Sequence, residues 1–268
     1  MAHIGAYGIT GMNWLKRVLF FVGLPSLLVA LWWASTLGAR NFYVPTPGLL
    51  AKTFWTVWAG ERLGTDLLPS VARLVVGLAL SIVVGMGAGL LIGTFRQLRR
   101  AAEPVLEFFR AVPPPVLVPL LMPIIGINDE MKVLVIFSGS VWPVLLNTVE
   151  GVRAVDSVLS DNTRIYGVVG LARVRYLVLP AALPQIMAGI RQCLSIGLIL
   201  MVISEMFASS SGLGFTIVYF QRTFAIPEMW SGILMLGLIG IALSVVFQQA
   251  ERHLLKWYRG LKVSQREL

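Results

Sequence analysis

Ionisable side chains beside long apolar runs are the first candidates for chemistry in this sequence. Arg73 stands near the start of one run, Glu205 near the end of another, and Arg222 in the segment that follows it. Charge next to lipid-soluble chain is costly, so such groups either meet a charged solute or hold one another. Both readings stand: the three line the outer half of a solute path, or Arg73 and Glu205 pair and leave no free cation for an anion. For Glu205 a third reading is a cap on local backbone amides. Covalent catalysis finds no residues to work with. The two histidines, His3 and His253, lie at opposite ends of the chain, and the one cysteine, Cys193, sits in an apolar stretch. They make no nucleophile–His–carboxylate set, no zinc or haem site and no internal disulfide. The phosphate-binding pattern G-x-x-x-x-G-K-[ST] does not occur, so ATP hydrolysis by this chain is not expected.

A second kind of candidate is backbone. The stretch LEFFRAVPPPVLVPLLMPIIG (106–126) carries Pro113, Pro114, Pro115, Pro119 and Pro123. Such a run cannot be regular helix throughout, because each proline removes a donor and crowds the preceding turn. Broken helices at membrane depth are tolerated where they are buried in protein or line a water-filled cavity, and transporters place them near their solutes. Pro114 and Pro119 therefore join the candidates for a solute path.

The elements that must position these residues are membrane helices. Of 268 residues, 57% are hydrophobic and 13% charged, with a mean hydropathy of +0.80. A soluble domain carries about 25% charge. Six segments approach the length of about 20 apolar residues that a crossing needs: 18–37, 71–94, 114–127 (starting as early as 105), 133–148, 186–208 and 229–247. The first is long for a cleaved signal peptide and reads as a retained helix. The net charge of +9 fits nucleic acid or a positive-inside bias, and the spans decide between them. With the N-terminus inside, fifteen Lys and Arg fall on the cytoplasmic side and five outside (Arg40, Lys52, Arg62, Lys132 and Arg222); Arg73 and Arg191, near helix ends, stay unassigned. Both termini are thus expected in the cytoplasm, and no nucleic-acid partner is expected. The expected organisation is a first helix with an outer segment (1–70), a core (71–258) with a long cytoplasmic connection (150–184), and a cytoplasmic tail (259–268).

Within the outer segment, Leu49, Leu50, Phe54, Val57 and Trp58 follow helical spacing. They predict a short helix, lying either in the membrane interface or on the protein's own outer face. After the fifth span, SSSGLG reads as a turn and FTIVYF as a short re-entrant or interfacial segment. In the second span Gly77, Ser81, Gly85, Gly89 and Gly93 recur every four residues and so share one face. Small faces let helices pack closely in lipid, where no hydrophobic drive brings them together. A subunit interface or a path lining are the alternatives.

The cytoplasmic connection carries a recognisable pattern. Permeases of ABC importers have a loop of the form E-A-A-x3-G-x9-I-x-L-P. This chain is similar, with Asp161, Asn162, Thr163, three residues, Gly167, nine residues, then Leu177, Val178, Leu179 and Pro180. The opening triplet departs from it, since Asn162 and Thr163 replace two alanines. PSVARLVVGLALSIVVGMGAGLLIG, FRAVPPPVLVPLL, LPAALPQIMAGIR and SEMFASSSGLG occur in the matching order, so that about residues 70–258 resemble permeases of the nitrate, sulfonate, taurine and bicarbonate group. The resemblance implies an all-α, multi-pass protein of the bacterial inner membrane with about six spans, of the type I ABC-importer permease kind. It implies a permease homodimer, a cytoplasmic ATPase dimer that holds ATP and magnesium, and an extracytoplasmic binding protein, with no cofactor on this chain. Asp161, Arg164, Tyr166, Gly167 and Val168 would form a coupling helix in a groove of the ATPase, and Leu177, Leu179 and Pro180 would lead it back to the bundle. Pro180 and Pro184 are expected to set the turn into the fifth span. The solute expected from the resemblance is a small anion such as a sulfonate, taurine or nitrate. A thiamine-pyrimidine-like or other small aromatic solute is the alternative. A secondary transporter or channel is the rival of another class, and the scarcity of mid-span charges argues against it.

Overall fold

The structure is a computed structural model that describes residues 14–37, 42–207 and 209–258. Arg40, Ala208 and the tail 259–268 lie outside the described residues. The described chain is helical, with no strand. In order the helices are α1 (Trp14–Leu37), α2 (Pro47–Trp58), α3 (Leu68–Thr94), α4 (Arg96–Ala111), α5 (Leu117–Ile125), α6 (Asp129–Arg153), α7 (Ser157–Ile165), α8 (Gly170–Arg173), α9 (Leu179–Phe207), α10 (Leu213–Arg222) and α11 (Ile226–Leu254). The Arg- and Lys-rich end of the bundle is called inner below, following the charge bias, and the other end outer.

Four helical stretches are long and apolar enough to cross a membrane: 63–94, α6, 170–207 and α11. Helix α4 and the 114–125 segment count as a fifth crossing only as a bent pair, folded by 74°. This is where the prolines act. The chain leaves α4 at Val112 and Pro113 in extended backbone, makes one 3-10 turn over Pro114–Val116, and only then starts α5. Helix α4 is itself charged and has no buried residue. The sixth expected span is α1, whose apolar stretch runs over Val22–Thr36.

Helix α6 lies between α3 and α9 and forms the centre of the bundle. Its start is well specified. Asn128 Oδ1 accepts from Met131 N at 2.9 Å, Asp129 and Glu130 fill the first turn, and Arg153 the last. The small-residue face of α3 meets α6. A Cβ on Gly77 would lie 2.6 Å from Ile136, on Gly85 2.9 Å from Val144, on Gly89 2.6 Å from Thr148, and on Gly93 2.8 Å from Val152. Buried Ser81 donates to Gly77 O at 2.8 Å. The opposite face of α6 meets α9 equally closely: a Cβ on Gly189 would lie 2.7 Å from Pro143 O, and one on Gly139 would clash with Leu200 and Pro114. These second-face glycines were not singled out from the sequence because they form no run of fours in either helix.

Leu-Pro occurs at two points where a helix widens instead of ending. Leu68 N donates to Leu63 O, five residues back, and Pro69 follows. Leu179 N donates to Val174 O, and Pro180 follows. A π turn opens the helix by one residue, which gives the proline ring room against the preceding turn. The expected turn at Pro180 and Pro184 is therefore absent. One helical rod runs over 38 residues, 170–207, from the inner loop to the outer face. The spans 133–148 and 229–247 are likewise longer than their apolar runs, because polar and charged ends continue the helix.

The amphipathic pattern at 49–58 forms α2, which packs on α11. Leu50 and Trp58 are buried, and Trp58 Nε1 donates to Ser231 Oγ at 3.1 Å. The other face of α2 leaves Leu49 and Trp55 exposed, so the helix both packs on the protein's own outer face and keeps apolar side chains for an interface. FTIVYF forms most of α10, which packs on α9 and α11.

Candidate functional site

Three of the sequence candidates lie at the outer end, and two of them meet. Arg73 Nη1 donates to Glu205 Oε1 at 2.7 Å, and its Nη2 lies 2.8 Å from Asp129 Oδ1. Ser70 Oγ donates to the Glu205 carboxylate at 2.7 Å. Lys132 Nζ lies 3.4 Å from Asp129. Glu205 and Ser70 are fully buried, and Arg73 and Lys132 nearly so. The SSSGLG turn is fastened to the same group by its amides: Gly214 N donates to Glu205 at 3.0 Å, Leu213 N to Ser70 Oγ at 2.8 Å, and Gly212 N to Asp66 at 3.0 Å. Gly212 has φ +117, and a Cβ there would sit 2.6 Å from the Glu205 carboxyl carbon, so both backbone and space require glycine. All the paired readings of Glu205 thus hold together, ion pair and amide cap alike. Arg222 is not part of the cluster. It closes α10 at an exposed position. Asp66, Ser70, Asp129 and Lys132 were missed from sequence. Their signal is the helical spacing of Asp66, Ser70 and Arg73, which puts three polar groups on one face of an apolar helix.

The proline break lines a cavity of about 570 Å³, with Pro114 and Pro115 on one side and Trp142, Asn147, Gln192 and Ile199 on the other. Phe109 stacks on Trp142 at 5.7 Å. Pro119 is exposed on α5 and does not line this cavity. Beside it, between α9 and α11, lies a second cavity of about 650 Å³ that includes Arg191, Ser195, Ser244, Gln248 and Glu251. Ile199 borders both.

What separates the two cavities is an outward face of α9. Gln185, Arg191, Gln192 and Ser195 are exposed along it at helical spacing. Gln185 Nε2 donates to Asn147 Oδ1 at 2.8 Å, and Arg191 Nη2 to Glu251 Oε2. The outward face of α3 is different, with Val75, Val76, Leu80, Val83, Val84 and Leu91, and that of α11 carries Ile233, Leu234, Leu238, Ile241, Val245 and Val246. Apolar outward faces suit lipid, whereas polar side chains at membrane depth face a bundle interior or a water-filled cavity. The α9 face therefore suits a protein partner or a water-filled cavity and not lipid. Its signal in the sequence was Q-I-M-A-G-I-R-Q-C-L-S inside an otherwise apolar helix.

At the inner end, Asp156 caps α7, its Oδ1 accepting from Val158 N at 2.7 Å and Leu159 N at 3.2 Å. Helix α7 ends at Ile165, with Tyr166 as its C-cap. Gly167 takes φ +71, and Val168 N folds back to Thr163 O at 2.8 Å, a helix stop that favours glycine. Asp161 and Arg164 lie exposed on α7, and Tyr166 is 84% exposed. Val168 is half-buried and lines a groove of about 250 Å³ with Ser160, Arg164 and Arg173. Leu177 is buried, and Leu179 and Pro180 are half-buried where the rod enters the bundle. Ile165 and Leu171 are 80% and 83% exposed on either side of the same loop and were not singled out from sequence. Among the described residues no group of three or more His, Cys, Asp or Glu could hold a metal ion.

The sequence profile of the family described as binding-protein-dependent transport system inner membrane component matches residues 81–260. A Bacillus subtilis permease protein named for aliphatic sulfonate transport is 31% identical over 247 residues, covering 91% of this chain and 88% of that protein. The taurine transport system permease of Escherichia coli is 26% identical, with 91% of each chain covered. The bicarbonate transport system permease of Synechococcus elongatus is 29% identical over 70% of this chain and 68% of that protein. Among solved structures, a chain of the inward-facing MetNI methionine ABC transporter matches with a TM-score of 0.59 and 17% identity. That match covers 77% of this chain and 96% of the other, which shows a common fold.

Proposed function

Since the chain belongs to the binding-protein-dependent transport system inner membrane component family, we propose that it is the membrane-spanning permease of an ATP-driven importer for a small oxyanion. The observation that carries this reading is the 38-residue rod 170–207. One end of it continues the exposed loop at Tyr166 and Gly167, and its middle bears the polar face between the two cavities. A push on the loop is thereby a push on the path.

In this reading α7 docks in a groove of a cytoplasmic ATPase dimer, which holds ATP and magnesium. Asp161, Arg164, Tyr166, Gly167 and Val168 make the contact, and Leu177, Leu179 and Pro180 transmit it. The exposed apolar patch at Ile165, Tyr166 and Leu171 supports a protein partner at that place. Two copies of the chain face each other across the α9 faces and close the cavities into one path, which includes Pro114. An extracytoplasmic binding protein delivers the solute to the outer end. Arg73 and Glu205 brace that end, since each already has its partners. The Phe109–Trp142 stack beside the 570 Å³ cavity favours solutes with an apolar body, such as alkyl sulfonates, and also suits a small aromatic solute as a second reading.

The docking role is tested at Gly167. Gly167→Val is expected to abolish ATPase stimulation by the loaded binding protein, or to abolish co-purification of the ATPase, while the chain still inserts in the membrane. Normal co-purification together with normal uptake in that variant would count against docking.

A further inference from the structure

At the outer end Arg73 touches two carboxylates and is almost inaccessible, so it offers an anionic solute no free cation. We propose that Arg191 is the oxyanion-recognition point on the inner half of the path, and that Glu251 holds its guanidinium until the solute takes the carboxylate's place. The proposal rests on the small-oxyanion reading above.

Four observations converge on Arg191. Its side chain is 59% exposed and opens into the 650 Å³ cavity, in contrast to the 6% exposure of Arg73. It stands on the polar α9 face beside Gln192 and Ser195, whose side chains can hydrogen-bond a travelling anion. Its one ion-pair partner among the described residues is Glu251, bonded through Nη2. The aromatic ring of Phe247 supports the guanidinium from below, 5.6 Å from its carbon.

A guanidinium has five N–H donors in a fixed fork, so a single carboxylate contact leaves donors for a second oxygen pair. Sulfonate, bicarbonate and nitrate all present oxygens that such a fork can engage. The exchange trades like for like. Arg191 is 59% exposed and Glu251 17%, so water screens the pair from the arginine side only. The solute replaces the charge-assisted hydrogen bonds of the carboxylate with its own. Gln192 and Ser195 flank the point with neutral donors and acceptors. A permanently bare arginine would trap any anion. A competing carboxylate makes the interaction strong enough to select and weak enough to release.

The test uses the full chain in its importer complex. Ser195→Cys, one helical turn from Arg191, reports occupancy through its rate of labelling by N-ethylmaleimide, while buried Cys193 stays silent. Ethanesulfonate is expected to slow labelling in the protein that keeps Arg191, and the neutral ethyl methyl sulfone is not. Adding Arg191→Gln should weaken that protection about tenfold, the loss of one charged hydrogen-bonding group. Arg191→Lys should keep part of it, and Glu251→Gln should strengthen it. Equal protection with and without Arg191 overturns the proposal, and so does uptake of ethanesulfonate by an importer whose cysteine it never protects. If the importer takes up no anion and instead carries a neutral solute, the oxyanion reading itself has failed.

Discussion

Removing one side chain from the Arg73–Glu205 pair leaves the other without its counter-charge in a place closed to solvent. Glu205 has no accessible surface, and only Ser70 and the Gly214 amide would remain to solvate it. Breaking a buried pair by deleting one partner costs about 3–5 kcal/mol. Arg73→Met should lower the unfolding transition of the detergent-solubilised protein by that order, and Arg73→Met combined with Glu205→Gln should recover much of it. Asp129→Asn should do less, because the Asp129 side chain is 64% exposed. A single Arg73→Met variant that unfolds like the parent would remove the bracing role. At this scale the sequence showed that Arg73 and Glu205 needed an explanation, since charge beside an apolar run is visible in one dimension. It did not show Asp129 and Lys132 as their neighbours, because contact between α3, α6 and α9 is a property of three helices. Arg191 was visible as well, but its exposure depends on what α11 leaves uncovered.

Helices here are specified by small residues and by the placing of prolines. The face of α3 that carries Gly77, Gly85, Gly89 and Gly93 brings α6 so near that a Cβ on Gly89 would lie 2.6 Å from Thr148 and 2.8 Å from the Leu145 carbonyl. Backbone cannot move aside as a side-chain tip can. Gly89→Val should therefore cost about 1–3 kcal/mol through overpacking. Gly87 has open space around its Cβ position, and Gly87→Ala should be neutral or stabilise by up to about 1 kcal/mol through helix propensity. Thermal unfolding of the two variants side by side checks this, and equal effects would deny the close approach. The period of four made this face legible. The turn expected at Pro180 and Pro184 was misread, because a proline after a π turn continues a helix. The choice depends on which carbonyl Leu179 finds, and Val174, five residues back, is the one.

The molecule as a whole is a bundle whose outer end is tied and whose inner end is open. Glu205, Arg73, Asp129 and the SSSGLG amides join α3, α6, α9 and α10 outside. Inside, α7 and the loop to Gly170 stand exposed beneath the rod that carries the polar face. Movement imposed on the loop should pivot the rod about its tied outer end. Ile165→Asp and Leu171→Asp together place charge in the proposed docking surface without touching the bundle. They should abolish association with the ATPase and leave thermal stability unchanged; retained association would exclude that surface. Composition and charge bias sufficed for a membrane bundle, and the 161–180 pattern for the loop. The polar face of α9 emerged only once the outward faces could be compared helix by helix.

The central claim is that this chain moves an oxyanion only when an ATPase works on its inner loop. The most direct measurement is uptake of labelled ethanesulfonate into proteoliposomes that contain the chain with its ATPase and binding protein. Uptake should require all three proteins, and ATP hydrolysis should rise when the loaded binding protein is added. Uptake by the chain alone, driven by a proton or sodium gradient and indifferent to ATP, would contradict the claim.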